Sequence, residues 1–201
     1  MGYRTIRVLN DHIFPPGWKG EEQIHQQVEI FTYVIEGSLE YEMVEGQKTF
    51  LSKGDVCFFI GGEGARRVLS NASQDSSLRY LEIWLLPHQK ELTTSLEKLC
   101  LDQFESQEVN GLSCWRVTDQ TKQSERPLIQ DIDIRLCAMN SPEPLTLGLP
   151  HGRYVWCQVL KGKIMLEDYL LGEGDGASFT ALDEVTIWES EEAEVLFIDL
   201  P

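Results

Sequence analysis

The stretch Glu29-Ile30-Phe31-Thr32-Tyr33-Val34-Ile35-Glu36-Gly37 decides the architecture of this chain. It is dense in β-branched and aromatic residues and closes on a charged residue plus glycine, so it reads as a buried strand running into a tight turn. Its latter half has an echo, since Val34-Ile35-Glu36-Gly37-Ser38-Leu39 is matched by Val159-Leu160-Lys161-Gly162-Lys163-Ile164. A second pair follows in step, Leu51-Ser52-Lys53-Gly54-Asp55 and Leu171-Gly172-Glu173-Gly174-Asp175. Strand, charged-Gly turn, hairpin and Gly-Asp turn succeed one another in both halves, and one local chemistry used twice predicts a duplicated barrel. The matched glycines are 54 − 37 = 17 residues apart in the first copy and 174 − 162 = 12 in the second, which predicts a shorter second hairpin.

The rest of the chain fits an all-β protein. Phe31–Ile35, Ser38–Met43, Val56–Ile60, Leu78–Leu86, Ile132–Cys137, Tyr154–Leu160, Lys163–Leu166 and Val195–Ile198 are short, rich in β-formers and separated by Gly or Asx turns. One helix is expected over Gln89–Phe104, where Leu92, Leu96 and Leu99 recur at helical spacing after Pro87. The expected organisation is an N-terminal barrel over 1–87, a linker with the helix over 88–125, and a C-terminal barrel over 126–201, the two barrels packed together.

Composition removes several functions. Among 201 residues, 33 acids face 17 bases for a net charge of −16, with no basic run, so nucleic acid and anionic membranes are disfavoured as partners. No apolar run approaches the roughly 20 residues that span a bilayer, and the first residues lack the apolar segment of a signal peptide, so a cytoplasmic protein is expected. Five cysteines form no CxxC pair and are odd in number, which predicts reduced, mostly buried thiols. No nucleophile motif, P-loop or dinucleotide fingerprint is present.

In order along the chain, Glu29 to Gly37, Ser52-Lys53-Gly54-Asp55-Val56, Gly62-Glu63-Gly64, Leu81-Glu82-Ile83-Trp84-Leu85-Leu86-Pro87 and the tail Glu194 to Pro201 resemble pirin and the pirin-like quercetin dioxygenases. That resemblance covers nearly the whole chain and implies two cupin (double-stranded β-helix, or jelly-roll) barrels. It also implies a single iron or related metal in the first barrel, held by a His-x-His pair and a later His-x-Glu pair. Laid on this sequence, the four ligand positions fall on Gln23, His25, Arg67 and Leu69, of which only His25 is a good ligand. The matching positions of the second copy are Pro150 and Ile187, which carry no metal motif.

The substitutions argue against ordinary metal chemistry. A guanidinium stays protonated and offers only donors, so Arg67 would place a fixed cation where a divalent metal should sit. Two consequences follow for the pocket candidates Gln23, His25, Glu29 and Arg67. If strand alternation carries through, Gln23, His25 and Glu29 share one face and could hold a divalent metal such as iron weakly, with waters completing the shell. Otherwise no cofactor is expected, and Arg67 pairs with Glu29 or with the carboxylate of a small anionic ligand. The function expected is that of a non-catalytic protein binding a small molecule or a protein partner. The alternative is a metal-dependent quercetin 2,3-dioxygenase-like oxidoreductase with an altered ligand set.

Overall fold

The structure, a computed structural model, describes residues 2–201 apart from 44, 110–111, 119–127, 140–141, 149–150 and 181–182. The expectations for Pro150 and for part of the 88–125 linker therefore lie outside the described residues. Seventeen strands are the dominant elements of the described residues: β1 (Ile6–Phe14), β2 (Gln23–His25), β3 (Val28–Glu36), β4 (Ser38–Met43), β5 (Lys48–Ser52), β6 (Asp55–Gly61), β7 (Ala65–Asn71), β8 (Leu78–Leu85), β9 (Ser95–Cys100), β10 (Ser106–Val109), β11 (Leu112–Arg116), β12 (Asp133–Met139), β13 (Leu145–Gly148), β14 (Tyr154–Leu166), β15 (Tyr169–Gly172), β16 (Gly176–Thr180) and β17 (Glu184–Leu200). The chain divides into two units, Met1–Gln103 with Arg126–Gln130, and Phe104–Glu125 with Asp131–Pro201. Both are antiparallel β structures of the cupin type, as the repeats predict.

In the first unit a five-stranded sheet, β1-β8-β3-β6-β9, faces a four-stranded sheet, β2-β7-β4-β5. Alternate residues point between the sheets: Ile30 and Val34 from β3, Leu39, Tyr41 and Met43 from β4, Cys57 and Phe59 from β6, Ala65 and Leu69 from β7, and Leu78 and Tyr80 from β8 form one core. The five-stranded sheet is buried on its other face too, through Phe31, Tyr33, Ile35, Phe58 and Ile83. That double burial explains why the Glu29–Gly37 stretch is a near-continuous apolar run instead of an alternating one. In the second unit β10-β11-β12-β17-β14-β15 form one sheet, with β13 on β17 and β16 on β14. Its core gathers Cys157, Val159, Ile164, Leu166, Val185, Ile187 and Val195.

The repeated turns are the same device twice. Gly54 N–H donates to the Val34 carbonyl and Gly174 N–H to the Val159 carbonyl, both at 2.9 Å. The Asp55 carboxylate accepts from Ser52 N–H at 2.7 Å and the Asp175 carboxylate from Gly172 N–H at 2.9 Å. Gly37 and Gly162 are corners, however, and the hairpins lie beyond them. Gly37 (φ 81°) turns the chain from the five-stranded to the four-stranded sheet, and Gly162 (φ 67°) bends the long β14. A Cβ at either would lie 2.4 Å or less from a backbone carbonyl oxygen, of Ser77 or of Glu191, so only glycine fits.

Two expectations fail. Gln89–Phe104 is not a helix: Ser95–Cys100 is β9, paired with β6, and only Leu101–Gln103 forms a single 3₁₀ turn. Leu96 packs toward the core between the sheets, while Leu99 is buried at the opposite parity, so a strand covered on both faces mimicked helical spacing. Nor are all thiols free, because Cys114 and Cys137 form a disulfide across β11 and β12. They face each other directly with Cα atoms 4.2 Å apart, a proximity that strand pairing creates and a linear sequence hides. Cys57 and Cys157 are buried free thiols, and Cys100 is half-buried. Among the described residues no helix is long and apolar enough to cross a membrane.

Candidate functional site

β2 and β7 are neighbours, in the register Gln23↔Arg67 and His25↔Ala65. This brings Gln23, His25, Arg67 and Leu69 to one wall of the first unit's interior, with Tyr41 and Met43 of β4 on the far side of β7. At the centre lies Arg67, whose side chain is 0% exposed. Its Nε donates to His25 Nε2 (2.9 Å), its Nη1 to the Tyr41 hydroxyl (2.8 Å), and its Nη2 to Glu82 Oε1 (2.6 Å) and Gln23 Oε1 (3.3 Å). The guanidinium also lies over the rings of Tyr41 and Phe59, 5.2 and 5.5 Å from their centroids. Glu82 is fixed from its other oxygen, Oε2, which accepts from Trp84 Nε1 at 2.7 Å.

The electrostatics follow from this packing. Burial opposes the charge of Arg67, but Tyr41 and Glu82 outweigh it and hold the guanidinium protonated. Burial first, and the Arg67 cation second, drive His25 down to about 4 from an ordinary 6.5, against the pull of Glu82. His25 is therefore neutral near pH 7. Because Nε2 accepts from Arg67, its ring proton is on Nδ1, so Gln23 Oε1 3.3 Å from Nε2 makes no hydrogen bond there. Burial likewise raises the Tyr41 phenol and the Cys57 thiol, the latter to about 12, so neither is a ready nucleophile.

The profiles of known families match in two consecutive blocks, a Cupin domain over residues 11–84 and a Quercetinase C-terminal cupin domain over 117–200. A Quercetin 2,3-dioxygenase of Escherichia coli (strain K12) is 25% identical over all of this chain and 84% of its own length. The Pirin-like protein YhaK from the same strain is 24% identical over 100% of this chain and 85% of its own. Among solved structures, bacterial pirin YhhW from Escherichia coli in complex with nickel(II) superposes with a TM-score of 0.86 at 27% identity, covering 100% of this chain and 84% of that one. The chain belongs to the pirin-like family.

Against the metal that this family implies, the residues present do not fit. The lone pair of the single imidazole is taken by a guanidinium N–H at 2.9 Å, a fixed cation fills the middle of the four positions, and Leu69 offers no donor atom. Among the described residues no three His, Cys, Asp or Glu side chains gather closely enough to hold a metal ion.

Glu29 requires correction. It neither shares a face with Gln23 and His25 nor pairs with Arg67. Gln27 takes a left-handed turn (φ 49°) between β2 and β3, and the chain passes there from one sheet to the other, which resets the alternation. Glu29 then falls at opposite parity to the inward Ile30, and its Oε2 accepts from the backbone N–H groups of Ile129 (2.8 Å) and Gln130 (3.2 Å). The partner that sequence reasoning missed is Glu82, inward on β8 between Tyr80 and Trp84. The available signal was one acid at an inward position of Leu78-Arg79-Tyr80-Leu81-Glu82-Ile83-Trp84, where a buried charge demands an opposite one. A small carboxylate would have to displace Glu82 to reach the guanidinium. The nearby end of the barrel opens instead into a cavity of about 450 Å³ with Met43, Ala65 and Leu96 at its floor and Glu45, Gln47, Glu63 and Thr94 at its exposed rim.

Proposed function

We propose that this chain is a pirin-like bicupin that works by binding, without metal and without oxygenase chemistry. The observation that carries this is the placement of Arg67, wholly buried and bonded at once to His25, Tyr41, Gln23 and Glu82. An internal salt bridge there satisfies the interior that a coordinated metal would otherwise organise, and it leaves no donor lone pair directed at a substrate or at dioxygen. A small molecule would enter at the cavity beside Ala65, whose Glu45 and Glu63 carboxylates disfavour anions and suit a neutral or cationic ligand with an apolar body. The test is elemental analysis of protein purified without chelator, together with oxygen uptake on quercetin. Well under one equivalent of metal and no uptake above blank are expected. Stoichiometric iron, nickel, copper, manganese or zinc that disappears in His25→Ala would overturn the reading.

A second reading, a dioxygenase with an altered ligand set, is favoured by one observation: relatives named quercetin 2,3-dioxygenase align with this chain from end to end. It requires Arg67 to leave its four partners. Quercetin turnover restored by added metal would establish it.

A further inference from the structure

The net charge of −16 is shared unequally. The first unit holds 15 acids and 11 bases, a balance of −4, whereas the second holds 18 acids and 6 bases, a balance of −12. Within the second unit one outward sheet face is also apolar. Pairing places Leu170, Met165 and Glu189 in one row across β15, β14 and β17, with Gly172, Lys163 and Glu191 in the row two residues along. Their neighbours Ile164 and Leu166 point the other way, into the core. Leu170 is 61% exposed, and Trp188, beside Glu189 in sequence, is 50% exposed. A cavity of about 430 Å³ lies over this face, floored by Met165 and Leu170 and walled by Pro142, Glu189 and Glu191.

Charge decides what fits there. Lys163, the one base lining the cavity among the described residues, is held by Glu191 at 2.7 Å. Glu189 makes no ion pair or hydrogen bond among the described residues. Acidic partners, nucleic acid and anionic membranes are repelled, and so is a second copy of this chain, which brings the same −16. We infer that the β15-β14-β17 face of the second unit is a docking surface for a basic protein segment in which a Lys or Arg meets Glu189 and an adjacent aliphatic side chain covers Met165 and Leu170. The long stem of the base adds apolar cover of its own, and Trp188 offers a ring face to a cation. None of these residues belongs to the first unit, so the surface stands or falls separately from the metal question.

The probe is a short labelled peptide of alternating Lys and Leu, titrated against the full chain by fluorescence anisotropy at low and physiological salt. Saturable binding that weakens with salt is expected, with Glu189→Lys weakening it ~10-fold or more and Leu170→Ser a further several-fold. Glu21→Lys, in the first unit, makes the same change of net charge and should alter affinity less than ~2-fold. Equal losses from Glu189→Lys and Glu21→Lys would mean attraction to bulk charge only and would overturn the assignment. So would equal affinity for a Lys and Ser peptide, full displacement by spermine at matched charge, or no saturable binding. Circular dichroism of each variant confirms that the fold survives the change.

Discussion

Replacing Arg67 by Met should unfold the first unit far more readily than any surface change, and replacing Glu82 by Leu in the same molecule should restore much of the loss. Arg67→Met strips Glu82 Oε1 of its countercharge, leaves Oε2 with the Trp84 indole alone, and removes the donors that face Tyr41, His25 and Gln23. Both charges are almost fully buried, at 0% and 4% side-chain exposure, so neither single variant can hand its orphaned partner to water. Breaking such a pair from one side costs about 3–5 kcal/mol, whereas apolar replacement of both partners is often near neutral. Simple addition would put the double variant at about 6–10 kcal/mol; we expect a cost below about 4, hence a coupling of at least about 2. Urea denaturation followed by tryptophan fluorescence is suited to this, because Trp84 touches both Glu82 and the His25 ring. Arg67→Met with Glu29→Leu is the control, and those losses should add within about 0.5 kcal/mol. Additive losses for Arg67 and Glu82 would refute the central salt bridge.

Further outcomes are expected. His25 has a folded pKa of about 4 against an ordinary 6.5, so as pH falls the unfolded chain takes up the proton first. The stability held by its neutral form is intact above pH 6.5 and lost between 6.5 and 4, about 3 kcal/mol in all. His25→Asn should flatten that part of a stability–pH curve, and parallel curves for the two proteins would contradict the burial of a neutral imidazole. The triple change Gln23→His, Arg67→His, Leu69→Glu rebuilds the ligand set that the family resemblance implies; it should bind nickel(II) near one equivalent by calorimetry, where the unaltered chain should not. Thiol titration in denaturant should count three free cysteines, rising to five after reduction. Reduction should cost the second unit about 3 kcal/mol for a 23-residue separation. Five thiols before reduction would remove the disulfide.

What the sequence disclosed and what it hid divide along a physical line. Local chemistry was legible, since each Gly-Asp turn is closed by its own aspartate accepting from the amide three residues back, and that bond appears twice. The Arg67 substitution was legible for the same reason: a guanidinium cannot ligate a metal whatever surrounds it. Relations between strands were not. Parity connects Gln23 to Glu29 only if the strand is unbroken, and one left-handed residue, Gln27, breaks it. Glu82 meets Arg67, and Cys114 meets Cys137, through registers that no local pattern specifies. The leucines of 92–99 misled because burial on both faces of a sheet erases the period of two by which strands are recognised.

The hold of Glu29 on the amides of Ile129 and Gln130 has a consequence for biosynthesis. The acceptor and its donors are 100 and 101 residues apart, so a carboxylate that the finished protein buries waits for chain not yet made. The compact part of the first unit ends at Gln103, and 130 − 103 = 27 further residues must be translated, β10 and β11 of the second unit among them, before its last piece exists. At typical elongation rates that interval is roughly 1–5 s. During it the nascent first unit carries a charge on the face of its central sheet with neither amide in place, so that face stays hydrated until Gln130 has been made.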